Sequence, residues 1–204
     1  MKGKILIWVP VFILFFFQPE HTAAQVENYE YAREQARKLR GGVLIVRLPV
    51  NGPKIRFYKN KLKEARDPLQ KEAIQKELSA AENLNRQKFE SLCQALRSGY
   101  TFSPYLILPD SNYLAFEKGR RDIFYSKECK TDTAFHFKEE GYFLLIAGDN
   151  EDQWNLVNRD LRPVGRPFPL RATIFLSGLT RVVNRQRYYE KQMRWFNQKL
   201  NSLL

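Results

Sequence analysis

Histidine is almost missing from this chain, with 2 in 204 residues. One of them, His21, falls in an N-terminal stretch expected to be removed. A Ser-His-Asp triad, a Cys-His pair or a zinc site would therefore have to use His136. Its neighbours are Phe135 and Phe137, and no Gly-x-Ser-x-Gly or His-Glu-x-x-His lies nearby. An ordinary hydrogen-bonded strand histidine is the expected reading. Glycine-rich phosphate loops are missing too: Gly41-Gly42 precedes a strand, whereas nucleotide loops follow a strand and open a helix. The carboxylates Glu139, Glu140, Asp149, Glu151 and Asp152 read as a solvated turn and not as a glycosidase pair. These absences leave no catalytic residue, metal ligand or cofactor to assign from sequence.

Cysteine is as scarce, with only Cys93 and Cys129. No CxxC occurs, which removes dithiol redox catalysis. An even count suits a disulfide in an oxidising compartment. Cys93, however, falls beside Phe89, Leu92 and Leu96 on the apolar side of a predicted helix, where a reduced buried thiol is equally ordinary. A bridge requires the two Cα atoms to lie within ~7 Å, which sequence does not reveal, so both readings stand open here. Repeats and low-complexity segments are absent. No apolar run after the first two dozen residues is long enough to span a bilayer.

What is present begins with a leader. Lys2 and Lys4 precede an uncharged apolar run from Ile5 to Phe17. Pro19 and Glu20 break it, and Thr22-Ala23-Ala24 supplies small residues before Gln25. This order of positive, apolar and small is that of a secretory signal peptide. The run is also shorter than the ~20 residues of a membrane-spanning helix. Residues 1–24 are expected to be cleaved, leaving 25–204 as one periplasmic or secreted domain. At 44% hydrophobic and 14% aromatic residues, such a chain can bury a core without a disulfide scaffold.

Periodicity predicts an α/β sandwich. A helix over Val26–Leu39, with Tyr29, Ala32, Ala36 and Leu39 on one face, stops at Gly41-Gly42. Val43–Leu48 is a strand buried on both faces, and Val50–Pro53 is a turn. A basic helix over Lys54–Arg66 restarts at Asp67-Pro68, with Gln70 placed to complete a capping box, and ends at Ser98-Gly99. One long rod and a helical hairpin bent near Asp67 are both compatible with this pattern. Further strands are expected at Pro104–Pro109, Tyr113–Phe116, Ile123–Ser126, Tyr142–Ala147, Trp154–Arg159 and Ala172–Ser177. Thr180 is expected to cap a terminal helix with an apolar stripe of Val182, Tyr189, Met193, Phe196, Leu200 and Leu203. The start is a βαβ crossover, implying parallel strands, and a later hairpin and terminal helix complete a mixed sheet. That order is shared with thioredoxin-like folds, whose reactive cysteines would sit in the Val50–Pro53 loop, where none occurs.

The strand Gly41–Pro49, the long charged helix, the entry Gly99–Tyr105 and the segments Asn158–Pro163 and Arg166–Pro169 together resemble a group of small exported proteins of Bacteroidota-type bacteria. The likeness covers most of the mature chain, and its motifs are structural. The group carries no assigned activity, so the resemblance implies export and transfers no site residues.

Charge gives the functional lead. The formal charge is +12, and the stretch from Arg159 to Leu204 holds ten Lys/Arg against Asp160 and Glu190. Arg181, Arg185, Arg187, Lys191 and Arg194 lie largely off the apolar stripe and form the candidate anion-binding face. In a cytoplasmic protein such a face would suggest nucleic acid. Export removes that partner, and leaves anionic envelope components or another envelope protein. The expected function is a non-enzymatic binding protein of the cell envelope. The competing readings are an unrecognised enzyme, such as a thioredoxin-like protein lacking CxxC, and a structural subunit of an envelope assembly.

Overall fold

Val43–Leu48 (β1) is a run of apolar residues broken only by Arg47, and it lies at the middle of the sheet. Alternate side chains go to opposite faces: Leu44, Val46 and Leu48 join one buried cluster, Val43 and Ile45 the other. A computed structural model of the chain describes residues 20–132, 141–148, 153–168, 170–171 and 184–204. Glu20–Arg40 (α1) precedes β1. It buries Ala32, Ala36 and Leu39, whereas Tyr29, expected on the same face, is exposed.

After β1 the chain enters helix α2, Gly52–Glu64, so the expected turn over Val50–Pro53 is shortened by a helix beginning at Gly52, with Pro53 in its first turn. Proline there loses no intrahelical hydrogen bond. Asp67 then caps α3, Pro68–Gly99, its carboxylate accepting from Gln70 N at 3.0 Å. The two helices form a hairpin and not a rod. Tyr58 Oη lies 3.3 Å from Glu77, and Lys59 pairs with Glu82 at 3.1 Å. The crossover returns the chain to β2, Tyr105–Pro109, parallel to β1.

The segment Tyr113–Phe116 is a correction. It is helical, within α4 (Tyr113–Glu117), entered through a 3-10 turn over Asp110–Asn112. A helix turns Phe116 inward against Phe124 and Tyr142 while Leu114 stays exposed. The short strands β3 (Phe124–Tyr125) and β4 (Thr131–Asp132) follow as an antiparallel edge. Strand β5, Tyr142–Ala147, pairs with β1 in the parallel sense, and β6, Gln153–Asn158, returns antiparallel to it as the expected hairpin. The short β7, Leu170–Arg171, completes the order β4-β3-β2-β1-β5-β6-β7. A thioredoxin-like sheet sets the strand corresponding to β5 antiparallel, so the likeness is one of element order and not of strand direction.

The expected strand Ala172–Ser177 lies outside the described residues, as do Thr180 and Val182. The terminal helix α5 spans Arg185–Asn201, and its cap is Asn184, which accepts from Arg187 N at 3.0 Å. Thr180 is four residues too early to serve.

Helices α1, α3 and α5 cover one face of the sheet and α4 covers part of the other. The aromatic stripe of α5 is used in this packing. Phe196 stacks on Tyr100 with centroids 5.6 Å apart and meets Phe168 edge-on. Trp154 donates its indole N–H to Gln192, whose amide N donates to Tyr188 Oη at 2.6 Å. Helices α3 and α5 pack closely at Gly99, where an added Cβ would lie 3.1 Å from Arg194 N.

Candidate functional site

Burial of its apolar side determines what α5 presents to solvent. Tyr188, Tyr189, Gln192, Met193, Phe196 and Leu200 face the core, which leaves Arg187, Lys191 and Arg194 exposed at steps of four and three residues. At 3.6 residues per turn these three align along one side of the helix. None forms an ion pair among the described residues. Gln186 donates to the nearest helix carboxylate, Glu190, at 2.9 Å. Arg185 does not join the row. It is half-buried at the start of the helix, and its Nε is closed off without a hydrogen-bond partner among the described residues. Arg181 lies outside the described residues. Of the predicted five-residue face, Arg187, Lys191 and Arg194 form a row among the described residues and Arg185 stands apart from it.

The sequence holds a second basic stretch, Lys54–Arg66, and the structure treats it differently. Helix α2 buries no residue. Lys54 and Lys59 reach across to Glu77 and Glu82 on α3, and Lys61 pairs with Glu64. Three of the six cations of Lys54–Arg66 are thus met by carboxylates, whereas the α5 row meets none among the described residues.

Cys93 and Cys129 are joined, with Cα atoms 6.0 Å apart. Cys93 is buried on α3, and Cys129 sits in the turn between β3 and β4. Beside the bridge, Phe89 meets Tyr125 edge-on at 4.7 Å, and Arg97 donates to Lys127 O at 3.0 Å. Two-residue edge strands have little pairing energy of their own, so these contacts hold them to the helix. A cleft of about 440 Å³ opens nearby between Tyr100, Tyr105 and Ser126–Glu128. Burial pushes the phenols of Tyr100 and Tyr105 upward; the hydrogen bond to Ser103 opposes this at Tyr100, and Arg97 opposes it at Tyr105. The bridge lies far along the chain from Val50–Pro53, where a thioredoxin-like site would place its cysteines.

A larger cavity, about 800 Å³, was not legible in the sequence. It lies where β1 and β5 begin, between the last turns of α1 and the turn after β6. Its floor is backbone: a Cβ on Gly42 would collide with the Gly141 carbonyl oxygen. Gln35, Arg37, Lys38, Tyr142, Arg159 and Asp160 are on its walls. Lys38 is held by Glu34 at 2.6 Å, and that contact lowers the Glu34 carboxyl below its ordinary range. His136 and the carboxylates Glu139, Glu140, Asp149, Glu151 and Asp152 lie outside the described residues, and no cluster of metal-ligating side chains occurs among the described ones. Among the described residues no helix is long and apolar enough to cross a membrane. Compared with protein-family models, with curated proteins and with solved structures, the chain matches none.

Proposed function

We propose that this is an exported, non-enzymatic binding protein of the cell envelope, akin to the small exported proteins it resembles, which engages an anionic envelope surface through α5. The observation that carries the reading is the exposed row Arg187, Lys191 and Arg194, free of ion pairs among the described residues. Because the apolar side of α5 is committed to the core, this helix does not have the free amphipathic face that inserts into a bilayer. Its attraction is electrostatic. Each Lys or Arg close to an anionic lipid surface contributes about 1 kcal/mol, so three supply about 3 kcal/mol, roughly a hundredfold in association. Lipid headgroups and lipopolysaccharide phosphates offer the same chemistry. Export is supported by the leader grammar of residues 1–24, and the joined cysteines accord with an oxidising compartment.

The test is co-sedimentation of the mature domain with anionic and neutral vesicles. The combined variant Arg187→Glu, Lys191→Glu and Arg194→Glu is expected to lose at least about a hundredfold in association with anionic vesicles. The combined variant Arg56→Glu, Lys63→Glu and Arg66→Glu changes net charge equally on another surface and is expected to lose much less. Equal losses in the two variants would reduce the effect to net charge and refute a specific face.

A further inference from the structure

We propose that the cavity at the start of β1 and β5 binds an anionic sugar, a saccharide unit bearing a carboxylate or phosphate. At about 800 Å³ it falls within the range of small-molecule sites, and one of its walls is well braced. The turn after β6 is held by one side chain: Asn158 Oδ1 accepts from Asp160 N at 3.1 Å and from Arg162 N at 2.9 Å. The Arg162 guanidinium lies 4.7 Å from the centre of the Tyr31 ring, which ties the turn to α1. Leu161 is carried in the left-handed region at φ 58° to close it. Arg159 and Asp160 are therefore presented to the cavity from a rigid turn.

The polar wall begins with Gln35, which is 5% exposed and lines the cavity. A ligand hydroxyl, which both donates and accepts, can pair with its amide. Arg37 and Arg159 form no ion pair among the described residues, and a planar guanidinium suits a carboxylate or phosphate. Asp160, likewise without an ion pair among the described residues, can accept from sugar hydroxyls. Val43, Pro104, Tyr142 and Phe143 add apolar surface for the carbon-bound hydrogens of a pyranose ring. Hydroxyls, an apolar ring face and one negative group occur together in an acidic or phosphorylated sugar. Tyr142 and Arg159 also border a smaller cavity of about 330 Å³ lined by Tyr113 and Phe116, so the site can continue past one unit.

The inference uses none of the α5 row, so either reading can fail without the other. Isothermal titration of the mature domain with glucuronate, glucose 1-phosphate and glucose tests it. At least one of the two anionic sugars is expected to bind with one-to-one stoichiometry and at least about tenfold more tightly than glucose. Preference for glucuronate assigns the site to acidic glycans, and preference for glucose 1-phosphate to phosphorylated sugars. The exposed substitution Arg159→Ala is expected to weaken binding at least about tenfold without changing the melting temperature, and Gln35→Leu to weaken it as well. The Arg187→Glu, Lys191→Glu, Arg194→Glu variant is expected to bind unchanged. No binding of either anionic sugar up to about 10 mM, equal affinity for glucose, or indifference to Arg159→Ala would overturn the proposal.

Discussion

At Gly42 the backbones of the β1 entry and the residue before β5 touch, and a methyl group there would fall on the Gly141 carbonyl. Neither side is a flexible side chain that could move away. Gly42→Ala is therefore expected to cost more than about 2 kcal/mol, as overpacking against backbone does, and to narrow the floor of the cavity. Gly41→Ala is the control, since its added Cβ would come no closer than 3.9 Å to Lys38 O; it is expected to change stability by less than about 0.5 kcal/mol. Chemical denaturation of the two variants reads both numbers. Tyr100 supplies a pH signature at the same scale. Burial raises its phenol above the ordinary value of 10.0, so the folded state holds its proton where the unfolded chain releases it. Stability from this group is whole below pH 10 and drains away as pH rises from there toward the folded value. Tyr100→Phe removes the hydrogen bond to Ser103 and is expected to flatten the fall in melting temperature above about pH 10. An unchanged slope would show that Tyr100 does not titrate in this way.

At the scale of elements, Asp67 stands at the joint of the α2–α3 hairpin, where its carboxylate closes the first turn of α3. Asp67→Ala is expected to lower stability by about 1 kcal/mol, seen as a shift of the denaturation midpoint without a change in slope. This cap was legible in the sequence because Asp-Pro is a local signal: proline fixes the first helical residue and the aspartate needs nothing beyond its own turn. Strands β1, β2 and β5 were legible for a related reason, since segments such as Val43–Val46 and Phe143–Leu145 are buried on both faces and carry unbroken apolar runs. Tyr113–Phe116 was misread because four residues with two aromatics suit either state, and its helix is decided by tertiary contacts of Phe116 with Phe124 and Tyr142. Arg185 was placed with the exposed cations because an arginine in a polar segment is ordinarily solvated. It lies three and four residues before the buried Tyr188 and Tyr189, which places it on the core side of α5. The 800 Å³ cavity gave no sequence signal at all, because Gln35, Tyr142 and Arg159 come from three elements far apart in the chain.

For the whole molecule, the bridge between Cys93 and Cys129 closes a separation of 36 residues. On chain-entropy grounds a loop of that size stabilises the fold by about 3–4 kcal/mol. The double substitution Cys93→Ser, Cys129→Ser is expected to lower stability by an amount of that order while leaving binding by α5 intact, since the bridge anchors the opposite edge strands β3 and β4. The basic row faces solvent on a helix whose other side is packed into the larger core, so its position rests on the fold as a unit. Coulombic attraction from such a row is screened over roughly 10 Å at 0.1 M salt and roughly 3 Å at 1 M. Vesicle binding by the mature domain, followed from about 50 mM to about 1 M salt, is the most direct measurement. The account predicts a steep loss of association for the native protein and a weak, nearly salt-independent association for the Arg187→Glu, Lys191→Glu, Arg194→Glu variant. Native binding that ignores salt, or a variant that follows the native curve, would contradict it.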